Sequence, residues 1–131
     1  MSIGAVKGVE IGDGFLAAES RGSVNNDGFY MDGGAVKKRT NHSGGILGGM
    51  SDGSEIRIRA AFKPTPSIAS PQRTVTRSGE DTQIAITGRH DPVIVPRAVV
   101  VVESMAALTA ADLLLQSMTS RLDRIQKFFS F

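Results

Sequence analysis

Apolar and polar positions alternate loosely over AVKGVEIGDGF (Ala5–Phe15) and stop at GDG, which predicts a strand running into a glycine turn. Alternation returns in SEIRIRAAFKP (Ser54–Pro64). There Ile56, Ile58 and Ala60 interleave with Arg57 and Arg59, predicting a strand with one basic face. RTVTRSGEDTQIAITG (Arg73–Gly88) reads as strand, Ser-Gly turn, strand. Beyond residue 92 the period changes. Pro96 can open a helix, and Val101, Met105, Leu108, Ala111 and Leu115 then form an apolar stripe. Glu103, Thr109, Asp112 and Gln116 fall largely opposite. The valines at 99–102 favour a strand locally, but the pattern persists to Leu115 and decides for helix. Ser120–Phe129 predicts a short terminal helix.

Between the periodic runs lies ESRGSVNNDGFYMDGGAVKKRTNHS (Glu19–Ser43), polar, glycine-rich and without a period. Loops of 25 residues are uncommon in compact domains, so 19–43 is expected to be flexible, or a lid that settles on a ligand or partner. KPTPS (Lys63–Ser67) must be extended, since each proline fixes its own φ and restricts the residue before it. The order predicts an α+β, layered β/α and sandwich-like arrangement, with antiparallel strands followed by a long helix. One helix cannot cover both faces of a sheet, so some sheet surface is expected to await another domain or subunit.

Composition narrows this picture. A chain of 131 residues is one domain's worth, and 40% apolar residues exclude compositional disorder. Its 15 glycines follow no period, against collagen or solenoid repeats. The formal charge of +2 is weak support for nucleic-acid binding, and interleaved aromatics and a basic helix are lacking. Charge is uneven, however: from Arg57 to Arg97 seven Arg or Lys face three acids, Glu80, Asp81 and Asp91. A small anionic ligand suits that run. There is no cysteine, which excludes disulfides and thiolate metal sites, and two distant histidines with scattered acids give no metal-ligand spacing. No signal peptide is apparent, and the longest apolar stretch, around Ala98–Val102, is too short to span a bilayer. A soluble cytoplasmic protein is expected.

Three constellations carry candidate chemistry. GGILGG fits neither Walker A nor dinucleotide-fold spacing, so its glycines serve close ligand approach or close packing of a turn. KPTPS offers a cation, two hydroxyls and backbone N–H groups, as a phosphate cradle or as a rigid connection. GRHDP (88–92) is the densest. Arg89 can clamp a phosphate or carboxylate, His90 titrates near neutrality, and Asp91 can handle a proton. It is equally a turn capped by Asp91 before Pro92. If extended, it places Arg89 and Asp91 on one face. His42, beside the glycine loop, is either a ligand contact or an ordinary loop residue.

MSIGAVKGVEIGDGF, NHSGGILGGMSDG, AAFKPTPSI and GRHDPVIVPRAVVVVESMAAL together resemble the carboxy-terminal portion of chorismate synthase, in order and spacing, from Met1 to about Leu115. The resemblance implies a phosphate lyase of the shikimate pathway and aromatic amino-acid biosynthesis. That enzyme converts 5-enolpyruvylshikimate 3-phosphate to chorismate and phosphate by anti-1,4-elimination, needs reduced FMN, has NADPH as a candidate reductant and forms homotetramers. By resemblance Gly4, Ala5, Gly48, Lys63, Pro64, Thr65, Pro66, Ser67 and Arg89 match flavin-contacting positions. Arg89 also matches a substrate contact, and Asp91 the aspartate that manages a proton at flavin N5. Gly4 departs from the larger residue common there. The family's enzyme is much longer than this chain, and its two catalytic histidines, which His42 and His90 do not match, lie in the amino-terminal part. The resemblance therefore implies one carboxy-terminal part spanning 1–131, inactive alone and completed by an amino-terminal partner. The alternative is a non-catalytic flavin-binding or subunit-interaction module.

Overall fold

The computed structural model describes residues 1–91 and 93–130. Pro92 of the GRHDP cluster, and with it the turn expected there, lies outside the described residues, as does Phe131. The chain divides into two compact units, Met1–Lys63 and Pro64 onward.

In the first unit β1 (Val6–Ile11) pairs antiparallel with β6 (Ile58–Phe62), Val9 opposite Ala60 and Ile11 opposite Ile58. The register shifts between Val6 and Gly8, leaving Lys7 as a bulge. The strand expected over Ala5–Phe15 ends at Ile11, and a 3-10 segment follows at Gly14–Glu19. The strand expected from Ser54 starts only at Ile58. The reason lies in the backbone. Arg57 donates its N–H to Gly44 O (3.1 Å) and accepts from Gly12 N (3.0 Å), so its pairing goes to glycine-rich loops instead of the ladder.

The stretch 19–43 is not structureless. It holds α1 (Gly22–Asn25) and a hairpin of β2 (Phe29–Asp32) and β3 (Ala35–Lys38), closed by Gly33–Gly34. Two residues of positive φ between paired strands make the tight turn that matches strand twist. A second, smaller hairpin joins β4 (Ile46–Leu47) to β5 (Met50–Ser51).

In the second unit β7 (Gln72–Val75) and β8 (Asp81–Ile84) form the expected hairpin. Its turn is closed by Thr76 N donating to Glu80 O and Gly79 N to Thr76 O. The long helix α2 runs Val95–Met118, with Pro96 in its first turn, where the missing N–H costs nothing. A short helix α3 follows at Leu122–Phe129. The fold is α+β, antiparallel strands followed by a long helix, as the periodicity predicts.

Length corrects one expectation. At 24 residues α2 is long and apolar enough, by length and composition, to cross a membrane, although the uninterrupted apolar run within it is short. Single polar residues such as Ser104 and Thr109 break the run without making the helix polar.

Burial is sparse. Val6 and Ala98 are the buried hydrophobic side chains among the described residues. The stripe on α2 stays open, with Val101, Met105, Leu108 and Leu115 all exposed. The chain exposes 10827 Å². Two separate folded units of half its 13.8 kDa mass would together expose roughly 8,000 Å². The surplus, roughly 2,800 Å², is above the roughly 1,000–2,500 Å² that one partner contributes to an obligate interface.

Candidate functional site

Pairing of β1 with β6 brings the first two expected flavin positions to a third. Lys63 N donates to Ala5 O at 2.8 Å, so Gly4–Ala5 and the start of KPTPS share one edge. Among the described residues Ala5 is the one non-glycine with positive φ, at 67°. A left-handed alanine costs about 1–2 kcal/mol, and such strain collects where a backbone must face a ligand. A side chain at Gly4 would meet nothing within 4 Å. The Lys63 side chain is exposed beside this edge.

The glycine loop splits into two halves with different jobs. A Cβ on Gly44 would strike the Gly12 backbone, and one on Gly45 would lie 2.6 Å from Glu55 O. These glycines permit close backbone packing, seen also in Asp13 N donating to His42 O at 2.8 Å. Gly48 and Gly49 form the tip of the β4–β5 hairpin with φ of 59° and 79°, and added side chains there would meet nothing within 4 Å. Packing thus accounts for the first pair, while the second presents open backbone.

Sequence reasoning missed the most buried polar cluster of this unit. Lys38 Nζ donates to Ser43 Oγ (2.7 Å), Asp52 Oδ2 (2.7 Å), Asp27 Oδ2 (3.2 Å) and Asn41 Oδ1 (3.2 Å). The Lys38 and Asp27 side chains are only 5% and 7% exposed. Asp27 also accepts from Thr40 Oγ1 (2.7 Å), His42 N (2.8 Å) and Ser43 N (3.1 Å). Burial pushes the Asp27 carboxyl up, but these hydrogen bonds outweigh it and hold it well below the usual carboxylate range. The Lys38 ammonium, then the Ser54 donors, bring Asp52 down to about 2. Lys38 is raised by its hydrogen bond to Asp52, against burial and with help from Asp27. The available signal was one lysine of the Lys37–Lys38 pair among Asp-Gly pairs at 27–28, 32–33 and 52–53, which no spacing rule reads.

His42 is held, not free. Its Nδ1 lies 2.7 Å from Asp13 Oδ2, and Asn25 Nδ2 donates to the same oxygen at 3.2 Å. It lines a polar cleft with Arg39 and Arg57.

In the second unit the Pro64–Ser67 loop is tied down from its carbonyl side. Gln72 Nε2 donates to Pro66 O (3.1 Å), and Ile86 N to Ile68 O (3.2 Å) just beyond. Thr65 and Ser67 are half-buried. Asp91 grips Arg97, on the first turn of α2, through Nη1 (2.8 Å) and Nη2 (3.4 Å). Arg89 is exposed. Ile94, which precedes the helix, makes no side-chain cap, and Asp91 supplies none to α2. The cation of Lys63 and the open backbone of Gly4 and Gly48 fit an anionic, planar cofactor in kind. So do the hydroxyls of Thr65 and Ser67 and the Arg89 guanidinium.

The family model for chorismate synthase matches residues 1–115. A chorismate synthase from Agathobacter rectalis is 67% identical over 129 residues, 98% of this chain and 35% of that protein. One from Archaeoglobus fulgidus is 58% identical over 116 residues, 88% of this chain and 32% of its own length. A crystal structure of chorismate synthase superposes with a TM-score of 0.68 at 34% identity, covering 98% of this chain and 32% of that one. The chain thus spans about a third of the length of these relatives. With residues 1–115 matched and both identity and fold agreeing, the chain belongs to the chorismate synthase family.

Proposed function

We propose that the chain serves as the carboxy-terminal part of a chorismate synthase and contributes cofactor-binding and proton-handling residues to a site completed by an amino-terminal part. The reaction is the anti-1,4-elimination of phosphate from 5-enolpyruvylshikimate 3-phosphate to give chorismate. Reduced FMN, when bound, supplies electron density to the allylic system as phosphate leaves.

The chain's own residues bind, orient and neutralise. Lys63, Pro64, Thr65, Pro66 and Ser67 hold the flavin phosphate and ribityl chain, with Gly4, Ala5 and Gly48 as backbone contacts. Arg89 offsets anionic charge at flavin and substrate, where preorganised cations contribute most. Asp91 would manage a proton at flavin N5 when the cofactor is bound, its carboxylate being the group that takes up or releases it. For that, one oxygen must be shared with or released from Arg97, an exposed pair worth only about 0–1 kcal/mol. The segment 19–43 is read as a lid carried on its hairpin. NADPH is the candidate reductant, the cytoplasm the location and a homotetramer the assembly. The helix α2 is read as a packing helix, not a membrane span.

The observation that carries this reading is 67% identity along 98% of the chain to a named chorismate synthase nearly three times as long. The test is chorismate release with dithionite-reduced FMN, from the chain alone and with a separately expressed amino-terminal part. Activity only in the mixture is expected. Full activity from the chain alone would overturn the division of labour. A second reading, a non-catalytic flavin-binding or subunit-interaction module, rests on the uncovered apolar side chains of α2. A well-folded monomer at high micromolar concentration in sedimentation would remove it.

A further inference from the structure

The geometry points to Lys38 as a positioning residue for the glycine turn at Gly48–Gly49, an inference that rests on the flavin reading above. Its ammonium joins three separate stretches: the Asp27 approach to β2, the loop Asn41–Ser43, and Asp52 just after β5. Two of these bonds reach the base of the turn through one residue each. Asn41 Oδ1 accepts from Lys38 Nζ (3.2 Å) and also from Gly45 N (2.9 Å), which fixes the start of the β4–β5 hairpin. Asp52 accepts from Lys38 Nζ (2.7 Å) and donates its own N–H to Gly45 O (3.1 Å), which fixes the end.

A two-strand ladder of two residue pairs cannot hold its shape alone. Its open tip, Gly48–Gly49, makes no packing contact that a side chain would disturb. The rigidity of that turn therefore comes from its base, and the base is pinned by one buried ammonium. Lys38 touches neither tip glycine. It acts through Asn41 and Asp52, as supporting shells do for ligand-binding groups. The same ammonium ties the hairpin of 19–43 to the glycine loop, so lid and turn share one anchor.

The test uses the complete enzyme, made by placing this chain over the corresponding 35% of the Agathobacter rectalis relative. FMN affinity is measured by fluorescence quenching at a temperature where circular dichroism shows the protein folded. Lys38→Ala is expected to weaken FMN about 10- to 100-fold, the range for losing a supporting contact. n-Propylammonium, which replaces the missing three carbons and ammonium, should restore affinity where tetramethylammonium does not. If Lys38→Ala fails to fold, the double variant Lys38→Met/Asp52→Asn decides. It removes one charge of each sign and leaves Asp27 its three other donors, so the fold is kept and the bridge lost.

A purely structural role would lower the melting temperature and leave FMN affinity of the folded protein unchanged. Affinity within twofold of the parent in a folded variant would overturn the proposal. No FMN binding by the parent would overturn the flavin reading and this inference together.

Discussion

Asp91 meets two demands in one carboxylate. Both its oxygens face Arg97, at 2.8 and 3.4 Å, and it is also the residue proposed above to handle a proton. Substitution separates the two roles. Asp91→Asn in the complete enzyme should slow elimination roughly 10²–10⁴-fold, the range for losing a placed proton-transfer group. Arg97→Met removes the ion pair and keeps the carboxylate, so turnover should stay within a few-fold of the parent. Steady-state kinetics with fully reduced flavin separates these outcomes. Equal losses in both variants would make the ion pair the important feature. The sequence made GRHDP conspicuous because five polar or special residues adjoin. It could not reveal Arg97 as the partner, because that contact depends on where the helix starts. Lys38 was illegible for a similar reason. Its partners lie 3 to 14 positions away in loops whose meeting is set by backbone packing at Gly12 and Gly44, not by any local period.

Among the elements, the hairpin of β2 and β3 was hidden, while the β7–β8 hairpin was plain. The first runs FYMD and AVKK, with apolar and polar residues in blocks, so no alternation marks it. Only its Gly33–Gly34 turn signalled a reversal. Its anchoring charges give it a pH signature. Asp27 and Asp52 both sit below the unfolded value of 3.8, Asp52 at about 2. Groups lowered by folding stabilise above their unfolded pKa and lose that contribution as pH falls through the folded one. Stability of the first unit should therefore hold above about pH 4 and decline toward pH 2. Lys38, raised above 10.5, acts oppositely and would lose its contribution only in strong alkali. Urea midpoints of the complete enzyme across this range check the acid limb. Lys38→Met/Asp52→Asn should flatten it in part, by the Asp52 share, because Asp27 keeps its bonds to Thr40, His42 and Ser43, and an unchanged slope would show that Asp52 is not linked to folding.

The helix α2 was legible in type and extent, yet its stripe turned out to be only part of its apolar surface. Val99, Val100, Leu113 and Leu114 are exposed alongside the stripe residues. A helix apolar on all sides is covered in a completed fold, and the proposed amino-terminal part is the cover tested next. Leu114→Glu would bring a charge into that contact at a cost of several kcal/mol, enough to weaken association at least about 100-fold. Ser78→Glu in the exposed β7–β8 turn should change it by no more than about 0.5 kcal/mol. Sedimentation of the chain with its amino-terminal part compares the two, and equal association would place the cover elsewhere.

At the scale of the whole molecule, surface decides the argument. Short paired strands and a bare helix expose roughly 2,800 Å² more than two independent folded units should. Relatives roughly three times as long match the chain across nearly its full extent. Family membership was readable from four motifs because they are long and ordered. Incompleteness was readable only in part, from one long helix being too little to cover a sheet and from the resemblance, while composition at 40% apolar looks like an ordinary domain. Only the distribution of those residues over the surface shows that they lack cover.

The most direct test of this account is a complementation assay. The chain and a separately expressed amino-terminal part are supplied with 5-enolpyruvylshikimate 3-phosphate and dithionite-reduced FMN, and chorismate is measured over time. The account predicts no turnover from either part alone and turnover on mixing that saturates with the concentration of the second part. Turnover by this chain alone at the rate of the mixture would contradict it.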